Sequence, residues 1–216
     1  MIHVLGEEIS FPPVTEADED GLLAIGGDLS PQRLIYAYQH GIFPWYADYS
    51  PIVWWCPDPR FVLFPQDIRI SKSMNRVIAS GKFQYRYNTS FKEVIECCSR
   101  MPRRGQDGTW ILPEMIAAYG KLHQLGLAIS AEAWLNTELV GGLYGIRMGN
   151  VFFGESMFAK ESNASKFAFI SLVKQLTAEG LVLIDCQTYT SHLDSLGAKM
   201  IPRKLFCEIL EREIGM

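Results

Sequence analysis

Cysteine is scarce and badly spaced for pairing. The 216-residue chain has five, at Cys56, Cys97, Cys98, Cys186 and Cys207, an odd set with no C-x-x-C spacing. That excludes a zinc ribbon and argues against a disulfide framework, so reduced thiols and no metal are expected. Long apolar runs are missing as well. Nowhere do about eighteen apolar residues follow one another, and the first residues lack a basic-plus-apolar leader pattern. No membrane span is expected, and the expected compartment is the cytoplasm. No segment repeats, and none is of low complexity.

What remains is an ordinary globular composition, 48% hydrophobic and 20% charged, in a chain long enough for one medium domain or a small one beside a larger one. The net charge of −4 argues weakly against a nucleic-acid partner, but its distribution argues the other way. Residues 1–40 carry seven acids against Arg33, whereas residues 60–104 carry ten bases, Arg103 and Arg104 among them, against Asp67, Glu93 and Glu96. A basic segment in an acidic protein suits a polyanion that touches one face; the plain alternative is a solvated surface.

The first sixty residues are rich in Pro, Gly and aromatics and read as a small α+β domain, residues 1–62, ahead of a larger one over 63–216. Ser30 and Pro31 read as N-cap and first position of a helix ending at Gly41. Further helices are predicted from Ser71 to Ala79, from Ser90 to about Ser99, from Pro113 to Leu125, from Ser165 to Glu179 and within Pro202–Glu213. Gly105–Gly108 reads as a loop. Strands are predicted at Phe83–Tyr87, at Ala128–Leu135, Glu138–Met148 and Asn150–Met157 with turn signals between them, and at Leu181–Cys186. Pattern alone gives a mixed α+β fold.

Two short runs carry polar groups where buried strand is expected: Gly154-Glu155-Ser156-Met157-Phe158 and Ile184-Asp185-Cys186-Gln187. Leu181–Ile184 is an unbroken apolar run, so Asp185 and Gln187 at its exit are costly to bury unless hydrogen-bonded or functional. Two carboxyls and an amide on two strands can converge in one cleft. A thiol nucleophile built from Cys186 and His192 is disfavoured, since a cysteine flanked by strand residues is usually inert.

These runs also carry a resemblance, together with Gly141-Gly142-Leu143-Tyr144-Gly145, Asn163-Ala164-Ser165-Lys166, His192-Leu193-x-Ser195-Leu196-Gly197-Ala198, Gly41-Ile42-Phe43-Pro44-Trp45 and Trp54-Trp55-x-Pro57-Asp58-Pro59-Arg60. From about residue 11 to about 206 the chain resembles the leucyl/phenylalanyl-tRNA–protein transferases. The resemblance implies an acetyltransferase-like (GNAT-like) second domain. It also implies transfer of Leu or Phe, less so Met, from aminoacyl-tRNA to proteins or peptides with N-terminal Arg or Lys, marking them for degradation. No cofactor is implied, and a monomer is expected.

By the same resemblance Asp185 and Gln187 stand at the reacting centre. An amide is a poor base, so their expected task is to orient the amine and its leaving proton. Glu155 is read as holding the acceptor's cation or its α-amine, or else as pairing with Lys160 or Lys166. Leu143, Phe152, Met157 and Leu172 are the implied pocket for the donor side chain, with plain core as the alternative. Trp45 and Trp110 are candidates for stacking on the terminal adenosine of the tRNA or for packing between the domains. Lys72 and Arg76, four apart on one helix face, are candidates for phosphate contact. Ile129 stands where the resemblance leads to His. Two rival readings remain, an N-acetyltransferase and a non-catalytic RNA-binding module.

Overall fold

The computed structural model describes residues 2–101 and 109–215. The expected Gly105–Gly108 loop, with Arg103 and Arg104, lies outside the described residues.

In chain order the elements are β1 (His3–Leu5), β2 (Leu22–Gly26), α1 (Pro31–Gln39), β3 (Phe43–Pro44), β4 (Val53–Trp55), β5 (Arg60–Leu63), α2 (Lys72–Ala79), β6 (Gln84–Tyr87), α3 (Phe91–Arg100) and α4 (Pro113–Gln124). Then come β7 (Ala128–Leu135), β8 (Glu138–Met148), β9 (Val151–Ala159), α5 (Ala164–Ala178), β10 (Leu183–Gln187), α6 (Ser191–Asp194), β11 (Lys199–Ile201) and α7 (Arg203–Leu210). The small sheet has the order β1-β2-β4-β3, and the large one β11-β5-β10-β9-β8-β7-β6. The α+β class read from the sequence is what is found.

Local rules account for the helix ends. Ser30 Oγ accepts the Arg33 N–H at 3.3 Å and Pro31 opens α1, while Ser71 Oγ accepts the Met74 N–H at 3.1 Å and opens α2. Helix α3 starts differently. Its Ser90 side chain makes no cap bond; the wholly buried Glu132 on β7 accepts the N–H groups of Thr89 and Ser90, both at 3.0 Å, and the hydroxyls of Thr89 and Ser130. A carboxylate at a helix start satisfies donors that the helix cannot.

Each face of the large sheet buries its own core. Leu34, Ala37, Val94, Met115 and Leu122 from α1, α3 and α4 fill one. Phe167, Ile170, Leu172 and Val173 from α5, with Met74 from α2, fill the other. Strands β7, β8 and β9 form an antiparallel meander, and α5 then crosses over to lay β10 parallel to β9. That crossover positions the site. β10 pairs with β9 only as far as Asp185 opposite Phe153, after which β9 continues along β8 alone.

Both strands bulge just past that point. In β9 the register jumps from Gly145–Gly154 to Tyr144–Ser156, leaving Glu155 as the extra residue. In β10 it jumps from Val62–Asp185 to Phe61–Gln187, leaving Cys186 as the extra one. Bulges bend a strand and re-aim its side chains. Here two on neighbouring strands open a cleft. Gly145 is needed opposite the first bulge, because a Cβ there would overlap the carbonyl oxygen of Phe153 and the ring of Phe152. Gly145→Ala is therefore expected to lose about 1–3 kcal/mol by overpacking. The measurement is the midpoint of denaturant unfolding, and an unchanged midpoint would show that the bulge relaxes freely.

Candidate active site

The cleft past the strand ends has a volume of about 810 Å³, and its lining includes Leu143, Met157, Phe169, Trp45, Trp110, Glu155 and Gln187. Helices α1 and α4 each send a tyrosine to Glu155. Tyr38 Oη donates to Glu155 Oε1 at 2.8 Å, Tyr119 Oη donates to Oε2 at 2.9 Å, and Gln187 Nε2 donates to Oε1 at 2.9 Å. Glu155 is 8% exposed, and burial pushes its carboxyl up to about 7, despite the three donors that pull the other way. Among the described residues its partners are these uncharged groups rather than Lys160 or Lys166.

Asp185 is placed differently from Glu155. Its carboxylate is wholly buried and accepts two bonds from Arg60, Nε at 2.8 Å and Nη2 at 2.7 Å. The guanidinium lies 4.7 Å from the ring centroid of Phe43 and 4.6 Å from that of Phe206. Asp185 reaches Gln187 through the backbone, its Oδ1 accepting the Gln187 N–H at 2.9 Å. Gln187 itself has φ +63°, a left-handed conformation that a non-glycine residue holds at a cost of about 1–3 kcal/mol. A chain of contacts thus runs from Arg60 through Asp185 to Gln187 and Glu155.

Of the four residues expected in an apolar pocket, Leu143 and Met157 line the cleft, whereas Phe152 and Leu172, each 1% exposed, lie in the core on the α5 side. The bulge accounts for the place of Met157 alone. It breaks the period of two, so Met157 comes to share a core cluster with Phe152 although the two are an odd number of residues apart. Phe169 from α5 lines the cleft. Trp45 and Trp110 both face it, and the Trp45 ring packs 5.9 Å from that of Trp55, whose Nε1 donates to the Trp45 carbonyl at 2.6 Å. Lys72 and Arg76 sit exposed on α2, outside the cleft lining. Ile129 is a 4% exposed core residue of β7. Burial pushes the Cys186 thiol up, which suits an inert cysteine. Sequence reasoning missed Tyr38 and Tyr119 altogether, and met Arg60 as one base among ten and as the end of a motif, without a role at the site.

A cleft with an acid poised near neutrality, an amide held in a strained turn beside it and an apolar wall is the equipment of an acyltransferase. Comparison with known proteins makes the class specific. The leucyl/phenylalanyl-tRNA protein transferase family matches residues 62–211, and the N-terminal domain of the same family matches residues 27–58. The chain is 56% identical over 211 residues to the leucyl/phenylalanyl-tRNA–protein transferase of Christiangramia forsetii, covering 97% of this chain and 100% of that one. It is 55% identical over 210 residues to that of Flavobacterium johnsoniae, with 97% and 99% covered. The chain belongs to the leucyl/phenylalanyl-tRNA–protein transferase family, and it is an aminoacyltransferase.

Some solved structures show distant likenesses. One is L-PGS from Bacillus licheniformis, TM-score 0.44 at 13% identity, covering 76% of this chain and 54% of that one. Another is a GCN5-related N-acetyltransferase-like protein from Streptococcus suis, TM-score 0.38 at 13% identity, covering 76% and 61%. No described helix is long and apolar enough to cross a membrane.

Proposed function

We propose that this chain moves Leu or Phe, and less readily Met, from aminoacyl-tRNA to the α-amine of proteins or peptides beginning with Arg or Lys, marking them for degradation in the cytoplasm. It acts as a monomer, with a small unit over residues 1–62 and a catalytic unit over 63–216, the boundary falling within β5. The observation that carries the reading is the meeting in one cleft of an apolar wall, Leu143, Met157 and Phe169, with Glu155 and Gln187. The wall takes the donor side chain, Met adapting to different shapes. Trp45 and Trp110 stack on the terminal adenosine.

In the reaction the α-amine attacks the ester carbonyl, the N–C bond forms and the C–O bond to ribose breaks. The amine sheds one proton and the departing ribose oxygen takes one. A reference amine pKa of roughly 7.7–8.0 leaves a useful neutral fraction near neutrality, so positioning supplies most of the rate. Gln187 orients the amine, and Asp185, held by Arg60, orients Gln187.

The test mixes the purified protein with tRNA carrying labelled leucine and a peptide beginning with Arg. Mass spectrometry is expected to show Leu on the α-amine, and no addition to a peptide beginning with acetyl-lysine. Absence of addition despite tight tRNA binding would favour a non-catalytic RNA-binding module. On α2, Lys72→Glu with Arg76→Glu is expected to weaken tRNA binding and to reduce the slope of log affinity against log salt by about 1–2. An unchanged slope in a filter-binding titration would remove α2 from the tRNA interface.

A further inference from the structure

Tyr38, Tyr119 and Glu155 touch one another pairwise. Tyr38 Oη is 2.8 Å from Oε1, Tyr119 Oη is 2.9 Å from Oε2, and the two hydroxyls are 2.6 Å apart. Two phenols carry two protons between them. If Glu155 is a carboxylate, two protons bridge only two of the three contacts, and the remaining one sets lone pair against lone pair. A third proton resolves this. Glu155 Oε2–H then donates to Tyr119, Tyr119 to Tyr38, and Tyr38 to Oε1, while the Gln187 amide donates to Oε1 in either case.

We propose that Tyr38 and Tyr119 are positioning residues that hold Glu155 as a neutral carboxylic acid by closing a three-proton ring, and that this acid trades protons with the substrates at Oε1, the oxygen it shares with Gln187. The surroundings agree. Facing Glu155 are Tyr38 from α1, Tyr119 from α4, Gln187 from β10 and, behind it, Asp185, whose charge is matched by Arg60 on β5. Tyr144 from β8 stands edge-on to Tyr119 at 5.6 Å. Burial first, and the Asp185 charge with it, push the Glu155 carboxyl up, in the direction the ring requires, whereas the hydroxyls and the amide, read only as donors to a carboxylate, pull it down.

The chemistry balances. A neutral Glu155 gives its proton to the departing ribose oxygen and receives the one that the amine sheds, so the ring ends with as many protons as it began. A concerted shift of three protons moves the acid hydrogen between Oε2 and Oε1 without forming an ion. This role rests on the transferase reading above, whereas the protonation state is measured with no substrate present.

The experiment is an infrared difference spectrum, wild type minus Glu155→Gln, titrated from about pH 5 to about pH 9. A carboxylic-acid carbonyl band is expected at the low end, vanishing as Glu155 ionises. Tyr38→Phe and Tyr119→Phe each remove the lone-pair conflict that penalises the carboxylate. In either variant the band is expected to vanish about one pH unit lower, a tenfold change in the proton equilibrium. Hydroxyls that merely donate to an ionised carboxylate predict the opposite, an upward shift on losing one. An upward shift, no shift in either folded variant, or no acid band in the wild type overturns the ring. Transfer to the Arg peptide is assayed alongside, so that loss of the functional reading stays distinct from loss of the ring.

Discussion

Arg60→Met is expected to remove about 3–5 kcal/mol of folding stability, because it leaves the wholly buried Asp185 charge without its partner. Met replaces the aliphatic part of the Arg60 side chain but not the guanidinium between the rings of Phe43 and Phe206, so the single variant loses some packing along with the charge. The double variant Arg60→Met with Asp185→Leu removes both charges and is expected to recover most of that stability. It is not expected to recover transfer, since the Gln187 N–H loses its acceptor and with it the support for a left-handed backbone. Denaturant unfolding of the three proteins reads the first effect and the peptide assay the second. A single variant that loses less than about 1 kcal/mol would mean that the Arg60–Asp185 pair adds little to the stability of the fold.

Glu155→Gln is expected to cut turnover by about 10²–10⁴-fold, the usual range for a positioned acid or base, with a smaller change in KM. Its effect on stability depends on pH. The folded carboxyl titrates at about 7, against 4.5 for the free side chain, so between those values the native protein binds the proton that the unfolded chain has lost. Wild-type stability from this group is therefore full below 4.5 and falls as pH rises towards 7, by about 3 kcal/mol in all. Glutamine does not titrate. Its amide reproduces the neutral ring, with the nitrogen donating to Tyr119 and the oxygen accepting from Tyr38 and Gln187. The variant is thus expected to gain on the wild type across that window and to hold a constant difference below it. Parallel stability curves at every pH would show that Glu155 titrates no differently in the folded and unfolded states.

The first two strands of the meander and its flanking helices were legible because turn and cap signals bound them. Ala128–Leu135 and Glu138–Met148 are the strands β7 and β8 to the residue, and Ser71 caps a helix ending at Ala79 as read. Leu181 and Val182 look like strand, but the Leu181 N–H closes the end of α5 on the Leu176 carbonyl, and Val182 bonds Asn150, so β10 starts at Leu183. The short strands β1, β2, β4 and β5 lie among prolines and glycines, where no period has room to show. At the site, Glu155 and Gln187 stand out in sequence because polar residues interrupt apolar runs. Nothing local marks Tyr38 or Tyr119. An inward tyrosine on an amphipathic helix reads as packing, and their contact joins residues 81 positions apart. The bulge, too, is invisible in the sequence pattern. One extra residue at Glu155 shifts the alternation, and the side chains beyond it change sides.

On the division proposed above, Tyr38 comes from the small unit and Glu155 from the large one. The acid at the centre of the cleft is therefore shared property, and the larger unit expressed alone would resemble an apoenzyme whose missing prosthetic group is α1 together with Arg60, the partner of Asp185. Supplied in trans, residues 1–62 would then behave as a dissociable activator, with an affinity readable from the activity they restore.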